Sequence, residues 1–292
     1  MGKMENAAPV TGAATNAATN AAAAATTTSV TGKLSLTPQA DGLKWPEPPV
    51  FDNPYEERLH RKQRLAVGYR IFSMHGFDFG IAGHITCRDP VLKDHFWVNP
   101  LGVHFSRIKV SDLVLVDHDG NVVQGRHDIN CAAYAIHSRV HRARPDVVAA
   151  AHAHSTYGVS FSSLNCLLEP ISQECCSFYG GHGLYDGYGG VAAVLEEGDL
   201  IAKAVGQGKA ALMRNHGHIT VGHSVEEAVA WFIRMERACE QTLLARAAGK
   251  PHVLDHETAA LTASQIGSHR AGWYGLQPLV DKVLAEQPDV LN

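Results

Sequence analysis

No run of 18 apolar residues occurs in this 292-residue chain, so no segment is long enough to cross a bilayer as a helix. There is also no CxxC pair. The six cysteines, Cys87, Cys131, Cys166, Cys175, Cys176 and Cys239, are scattered, which excludes a small disulfide scaffold; reduced thiols in a cytoplasmic protein are expected. Charge is sparse at 18% of residues, and a formal net charge of −4 gives no electrostatic reason to expect nucleic acid or an anionic membrane as partner. The first 40 residues contain no aromatic side chain, and 20 of them are Ala or Thr. Such a segment cannot bury enough apolar surface to offset its ordering entropy, so residues 1–45 are expected to be a disordered tail. The tail has no basic stretch followed by an apolar core, and the first Arg is Arg58, which argues against secretory and transit signals. Asn6 stands where a myristoylation motif needs Ser or Thr.

What the chain has in excess is histidine. There are 18, and 14 of them lie between His75 and His223. Imidazole is the commonest metal ligand and the usual proton carrier near neutral pH, so this excess needs an explanation.

The pattern of elements is mixed. Asn53, Pro54 and Glu56 open a helix in which Leu65, Tyr69 and Phe72 recur at helical spacing, ending at Gly76. Residues 83–88 and 95–99 read as strands, and 113–117 with 122–123 as a hairpin around His118-Asp119-Gly120-Asn121. A helix over 129–142 precedes a small-residue strand, Val147 to His154. A helix over 196–205, a strand over 210–213 and a long helix opened by Ser224 and Glu227 follow. One further helix is expected near 279–286. Helices interleaved with hairpin-linked strands imply an α/β domain with a partly antiparallel sheet.

His152 and His154 are two apart at a strand end, so both side chains lie on one face and can meet one cation. His216, in Arg-Asn-His-Gly after a buried-looking strand, is the candidate third ligand, with His218 as its competitor. Three histidines around an open position form a catalytic rather than a structural metal site. His137 and His141 form an i,i+4 pair without the Glu that a zinc protease would place there, so they are expected on a solvated helix face. Ala228, Trp231, Phe232 and Met235 form a stripe expected in the core or at a subunit contact.

Taken together, these motifs resemble the class II aldolase/adducin family. Arg-Ala-Arg-Pro-Asp before Val-Val-Ala-Ala-Ala-His-Ala-His, then Arg-Asn-His-Gly-His-Ile-Thr-Val-Gly, carry the likeness. Upstream, Gly83-His84-Ile85-Thr86-Cys87-Arg88 is similar to that family's Gly-Asn-Ile-Ser-x-Arg strand, and Asn99-Pro100-Leu101-Gly102 to its Thr-Pro-Ser-Gly turn. The resemblance covers about residues 60–247. It implies a three-layer α/β/α fold with a largely antiparallel central sheet, and a divalent metal on His152, His154 and His216, zinc before Fe2+. It also implies a homotetramer with sites at subunit interfaces. The domain is expected over residues 46–250, with 251–292 a C-terminal extension packing on it or on a neighbouring subunit.

The departures narrow the chemistry. Where sugar-phosphate aldolases of the family cradle phosphate with Asn, Ser and Ser-Ser, this chain has His84, Leu101 and Cys131-Ala132. Where their catalytic Glu stands, it has Ala133. The substrate is therefore expected to lack phosphate, with His84, Asn99 and His104 as candidates for holding a carboxylate or phenolic oxygen. Without that Glu, a reaction that needs no such base is favoured, and decarboxylation is one. Glu174, near where some of these aldolases carry a catalytic Tyr, is the candidate acid/base or fourth metal ligand, and Tyr179 is the second choice; Tyr185 and His182 rank lower. The leading expectation is a metal-dependent carbon–carbon lyase acting on a small hydroxy, keto or aromatic acid. A non-haem iron oxygenase is the second, and a non-catalytic actin-binding module of the adducin kind is the third.

Overall fold

The computed structural model describes residues 46–190 and 194–292, so the expected tail over residues 1–45 lies outside them. Helix α1 spans Pro54–Met74, and the Asn53 side chain caps it by accepting from Tyr55 N. Strands β1 (His84–Arg88), β2 (His95–Val98), β3 (Val114–Asp117) and β4 (Val122–Gln124) come next. After them come α2 (Cys131–Ala143), β5 (Ala149–Ala153), α3 (Thr156–Ser162), α4 (Gln173–Cys176) and β6 (His182–Tyr185). The rest is α5 (Leu195–Val205), β7 (Ala210–Met213), β8 (Gly217–Gly222), α6 (Val225–Ala248), α7 (His256–Ile266) and α8 (His269–Glu286).

The eight strands form one sheet in the order β4-β3-β2-β1-β5-β8-β7-β6. The β6–β7 pairing is parallel and the other described pairings are antiparallel, so the sheet is mixed. Side chains of a strand alternate between faces, and β5 shows it. Ala149, Ala151 and Ala153 pack with residues of α1, α6 and α8, while Ala150 packs with residues of α2 and α5. Only alanines occupy these positions, which lets helices approach both faces of this strand closely.

The stripe on α6 is core: Ala228, Trp231, Phe232 and Met235 are all fully buried. All six cysteines are free thiols, as their spacing suggested. The C-terminal segment departs from the expectation of one helix near 279–286. It forms two, and Leu276, Val280 and Val283 of α8 join the core against α1 and α6.

Candidate metal centre

The register of the sheet places the first two histidines. His84 on β1 pairs with His152 on β5, and Ala153 pairs with His218 on β8. Partners in register point to the same face, so His84 and His152 stand side by side on the α2 side of the sheet. Gly83, at φ +96, lets the chain enter β1 against β5, because a Cβ there would meet Ala153 Cβ at 3.1 Å. His154 follows directly, where β5 gives way to α3. The third histidine comes from the tight β7–β8 turn, in which Asn215 takes φ 58 and Gly217 φ 110. These left-handed residues flank His216 and turn it back toward β5.

His152, His154 and His216 converge, each offering one ring nitrogen, and these nitrogens lie within 4.8 Å of one another. The ring centres are 5.3 Å (His152–His154), 4.7 Å (His152–His216) and 4.9 Å (His154–His216) apart. Three imidazoles on one ion at roughly 2.1 Å with near-tetrahedral angles have ring centres about 5 Å apart, so the spacing suits a shared cation. His152 Nδ1 donates to the His218 carbonyl at 2.8 Å. That contact fixes the proton on Nδ1 and leaves Nε2 as a bare lone pair. Nε2 is buried and has no hydrogen-bond partner. An unsatisfied buried nitrogen is costly, and a metal ion at the point of convergence would satisfy it. Burial also keeps the three rings neutral: it pushes His152 well below the ordinary histidine range, lowers His154, and brings His216 down to about 4, with His154 adding to the last shift. Neutral imidazoles are the form that binds metal. The cluster opens outward through exposed His154 and half-buried His216.

His218 does not compete with His216. It is fully buried, its ring stacked on Phe232 at 4.1 Å, and it serves the site through its backbone carbonyl. A second cluster of His223, Glu227 and His269 fits a metal less well. Its two imidazoles stack at 3.6 Å, closer than rings sharing an ion, and Glu227 already accepts from Trp231 Nε1, His269 Nδ1 and the His223 backbone N–H.

The largest correction concerns α2. His137 and His141 are not on a solvated face; both are fully buried beneath the sheet. His137 Nε2 is 2.8 Å from His84 Nδ1, and its Nδ1 is 2.7 Å from the Thr86 hydroxyl, which lies 2.9 Å from His141 Nε2. This series runs from the histidine triad through the interior, since the His84 ring centre is 5.3 Å from that of His152. The i,i+4 spacing was visible in the sequence, but which face of the helix it occupied was not.

The other candidates sit elsewhere in this chain. Asn99 is buried against the Tyr69 hydroxyl at 2.7 Å. His104 is exposed, accepts from Ser106 N at the start of a short turn and approaches Asp78 at 3.3 Å. Glu174 lies on α4, where its charge is felt by Arg234. Tyr179 contacts His256 Nδ1 at 3.0 Å. His182 is spent on the Phe178 carbonyl and the Leu168 N–H, and the Tyr185 hydroxyl points to Glu197. Ala133 sits in an apolar cluster with Phe96, Val98, Val114 and Val116, and the first turn of α2 carries no acidic residue.

Sequence reasoning also missed Glu236. From α6 it accepts from Tyr157 N at 2.8 Å, Gly158 N at 2.6 Å and the Ser155 hydroxyl, which anchors the start of α3 directly after His154. Replacing Glu236 with alanine strands these donors in a buried place, so a loss of roughly 3 kcal/mol is expected. Urea denaturation measures it, and a change below about 1 kcal/mol would refute the anchor.

Residues 63–243 match the family model described as Class II Aldolase and Adducin N-terminal domain. "Decarboxylase NovR" of Streptomyces niveus is 44% identical over 246 residues, covering 84% of this chain and 91% of that protein. "4-hydroxy-3-prenylphenylpyruvate oxygenase/4-hydroxy-3-prenylbenzoate synthase" of Streptomyces roseochromogenus subsp. oscitans is 43% identical over 245 residues, covering 83% of this chain and 88% of that one. Among solved structures, "L-fuculose 1-phosphate aldolase from Glaciozyma antarctica PI12" superposes with a TM-score of 0.79 at 42% identity, covering 84% of this chain and 97% of that one.

Proposed function

This chain belongs to the class II aldolase and adducin family, and from that premise we propose that it is a metal-dependent lyase that decarboxylates a phosphate-free aromatic keto or hydroxy acid. It is an enzyme of the aldolase/decarboxylase class. The observation that carries the metal dependence is the buried, unpartnered Nε2 of His152 at the convergence of three neutral imidazoles. A divalent ion held by His152, His154 and His216 would supply Lewis-acid stabilisation of negative charge on a substrate oxygen.

The chain's own residues then account for the rest. No carboxylate occupies the start of α2, so nothing there abstracts a proton from carbon. Decarboxylation does not need that step: the electron pair of the broken C–C bond stays on the substrate as CO2 leaves, and one proton is returned afterwards. His84, beside His152, is placed to bind a substrate oxygen. Within this chain Glu174 faces Arg234 and Tyr179 contacts His256, so in this reading the proton comes from one of them on a neighbouring subunit of a homo-oligomer. Substitution of the phosphate cradle by His84, half-exposed Leu101 and Cys131 supports a substrate without phosphate, despite the fuculose 1-phosphate aldolase among its structural neighbours.

A second reading is an iron-dependent oxygenase, favoured by the relative named as an oxygenase. Three imidazoles serve Fe2+ as well as Zn2+. Elemental analysis of anaerobically purified protein, with CO2 release and O2 uptake followed on benzoylacetate, a β-keto acid whose loss of CO2 leaves an enolate, on 4-hydroxyphenylpyruvate and on L-fuculose 1-phosphate, tests both. CO2 release from benzoylacetate by the zinc form without O2 uptake is the expected outcome. Equimolar O2 uptake by the iron form establishes the oxygenase instead, and turnover of the sugar phosphate alone overturns the substrate class.

A further inference from the structure

A histidine on a metal is ordinarily aimed by a partner on its other ring nitrogen. His152 has one in the His218 carbonyl, and the ladders to β1 and β8 hold its backbone. His154 and His216 differ. Both lie just beyond the ends of their strands, since β5 ends at Ala153 and β7 at Met213. Among the described residues neither ring has a hydrogen-bond partner, so whatever aims them acts through their backbone. The seven-residue helix α3 touches both. Its N-cap, Ser155, directly follows His154 and makes no cap of its own. The Ser155 hydroxyl donates instead to Glu236 on α6, and the same carboxylate accepts from Tyr157 N at 2.8 Å and Gly158 N at 2.6 Å. At the far end of α3, the Ser162 hydroxyl accepts from Gly217 N at 3.0 Å and donates to the Val159 carbonyl at 2.8 Å. Gly217 directly follows His216. Between the two ends Gly158 lies flat against β8, where a Cβ would come within 2.3 Å of His218 Nδ1. Ser155, Ser162 and Glu236 are all buried, so water does not compete for these bonds.

We propose that Glu236 and Ser162 are positioning residues for the metal centre, and that α3 is the brace through which they set the spacing of His154 and His216. Glu236 fixes the end of α3 that follows His154. Ser162 ties the other end to the turn that carries His216. The sheet thus places one ligand and the brace places two. Hydrogen bonds from Val159 N to the Ser155 carbonyl and from Ser163 N to the Val159 carbonyl close the turns of α3, so it moves as one piece. Loss of either attachment lets one outer imidazole move against the other. A cation needs all three nitrogens at once, so freedom gained in the empty site is lost again on binding and weakens it. The role of the brace rests on the triad holding a metal, as the lyase reading has it.

The test is the zinc dissociation constant, measured by chelator competition, beside thermal melting of the metal-free proteins. Ser162→Ala leaves the Gly217 N–H without its acceptor, and Glu236→Gln keeps the side-chain shape but turns one acceptor oxygen into a donor. Each is expected to weaken zinc binding about tenfold. The double variant is expected to bind within about twofold of the weaker single one, because a brace released at one end no longer sets the spacing. Losses that multiply to about a hundredfold overturn the brace, and so does wild-type affinity in both single variants. Val283→Ala, a core truncation on α8, is the control for general destabilisation. It is expected to melt lower and to bind zinc as the wild type does, and an equal loss of affinity there also overturns the proposal. In cobalt-substituted protein the visible ligand-field bands of Ser162→Ala are expected to shift, which lower stability alone would not cause; bands identical to the wild type count against the brace. Ser162→Ala leaves α6 untouched and carries the test if Glu236→Gln does not fold. A wild type that binds no zinc refutes the metal site and the brace with it, whereas a wild type that binds beside variants that bind equally well refutes the brace alone.

Discussion

Replacing His152 with alanine is expected to strip the protein of its metal and to lower turnover by on the order of a thousandfold or more. A Lewis acid at the reacting oxygen is worth several kcal/mol to the transition state, and each 1.36 kcal/mol is about a factor of ten. Alanine removes an Nε2 that has no hydrogen-bond partner of its own in the folded chain, but it also removes the Nδ1 donor to the His218 carbonyl, so the metal-free fold is expected to lose roughly 1–3 kcal/mol. Elemental analysis and thermal melting with and without added zinc separate the two effects. Zinc should raise the melting temperature of the wild type and leave that of His152→Ala unmoved, because only binding to the folded state stabilises it. His269→Ala, in the stacked His223–His269 cluster, should keep full metal content. Equal zinc content in His152→Ala and wild type would sink the assignment of the triad.

The second large effect is acid lability. Burial lowers His137 and His218 to about 3, and holds His84, His141 and His152 well below the ordinary histidine value of 6.5. In the unfolded chain the same groups titrate near 6.5, so below that pH the unfolded state binds more protons than the folded one. Stability is therefore fully present above about pH 6.5 and falls continuously as pH drops toward the folded values. By pH 4, each of His137 and His218 has cost roughly 3 kcal/mol. Two such groups already consume a large share of a typical stability of about 5–15 kcal/mol. Carboxylates enter later: Asp146, held to about 2 chiefly by its hydrogen bond to Arg144, keeps its contribution until the pH falls below its unfolded value near 4. Loss of stability between pH 6.5 and 4.5 thus reports on the histidines. Urea unfolding of metal-free protein across that range should show the fall, and a flat profile would mean that these rings are not held neutral in the interior.

The same histidines show how far the sequence could be read. Local signals were legible where short-range chemistry decides them. Asn53 before Pro54 marked the start of α1, Ser224 marked that of α6, and Gly206 marked the end of α5. Alternation along β5 placed His152 and His154 on one face because a strand has a period of two whatever surrounds it. Other elements carried weak signals. Gly272, Gly275 and Pro278 are poor helix formers, and they hid the first part of α8, which is helical because it packs on α1 and α6. β8 was missed because Gly217-His218-Ile219-Thr220 reads as the tail of a turn, and only pairing with both β5 and β7 makes it a central strand.

What the amino-acid sequence determined by itself was the family, the α/β alternation, the pair on β5 and the candidate third ligand after β7. Each rests on contiguous residues whose spacing has a fixed geometric meaning. The tertiary structure alone chose His216 over His218, because the β7–β8 turn sends one toward β5 and the other beneath α6. It alone buried His137 and His141, because which side of α2 faces the sheet depends on a partner strand some fifty residues away in the chain. Contacts between strands and helices distant in sequence decide which polar groups are left without water, here His152 Nε2 and the series behind His84, and so decide where the candidate site lies.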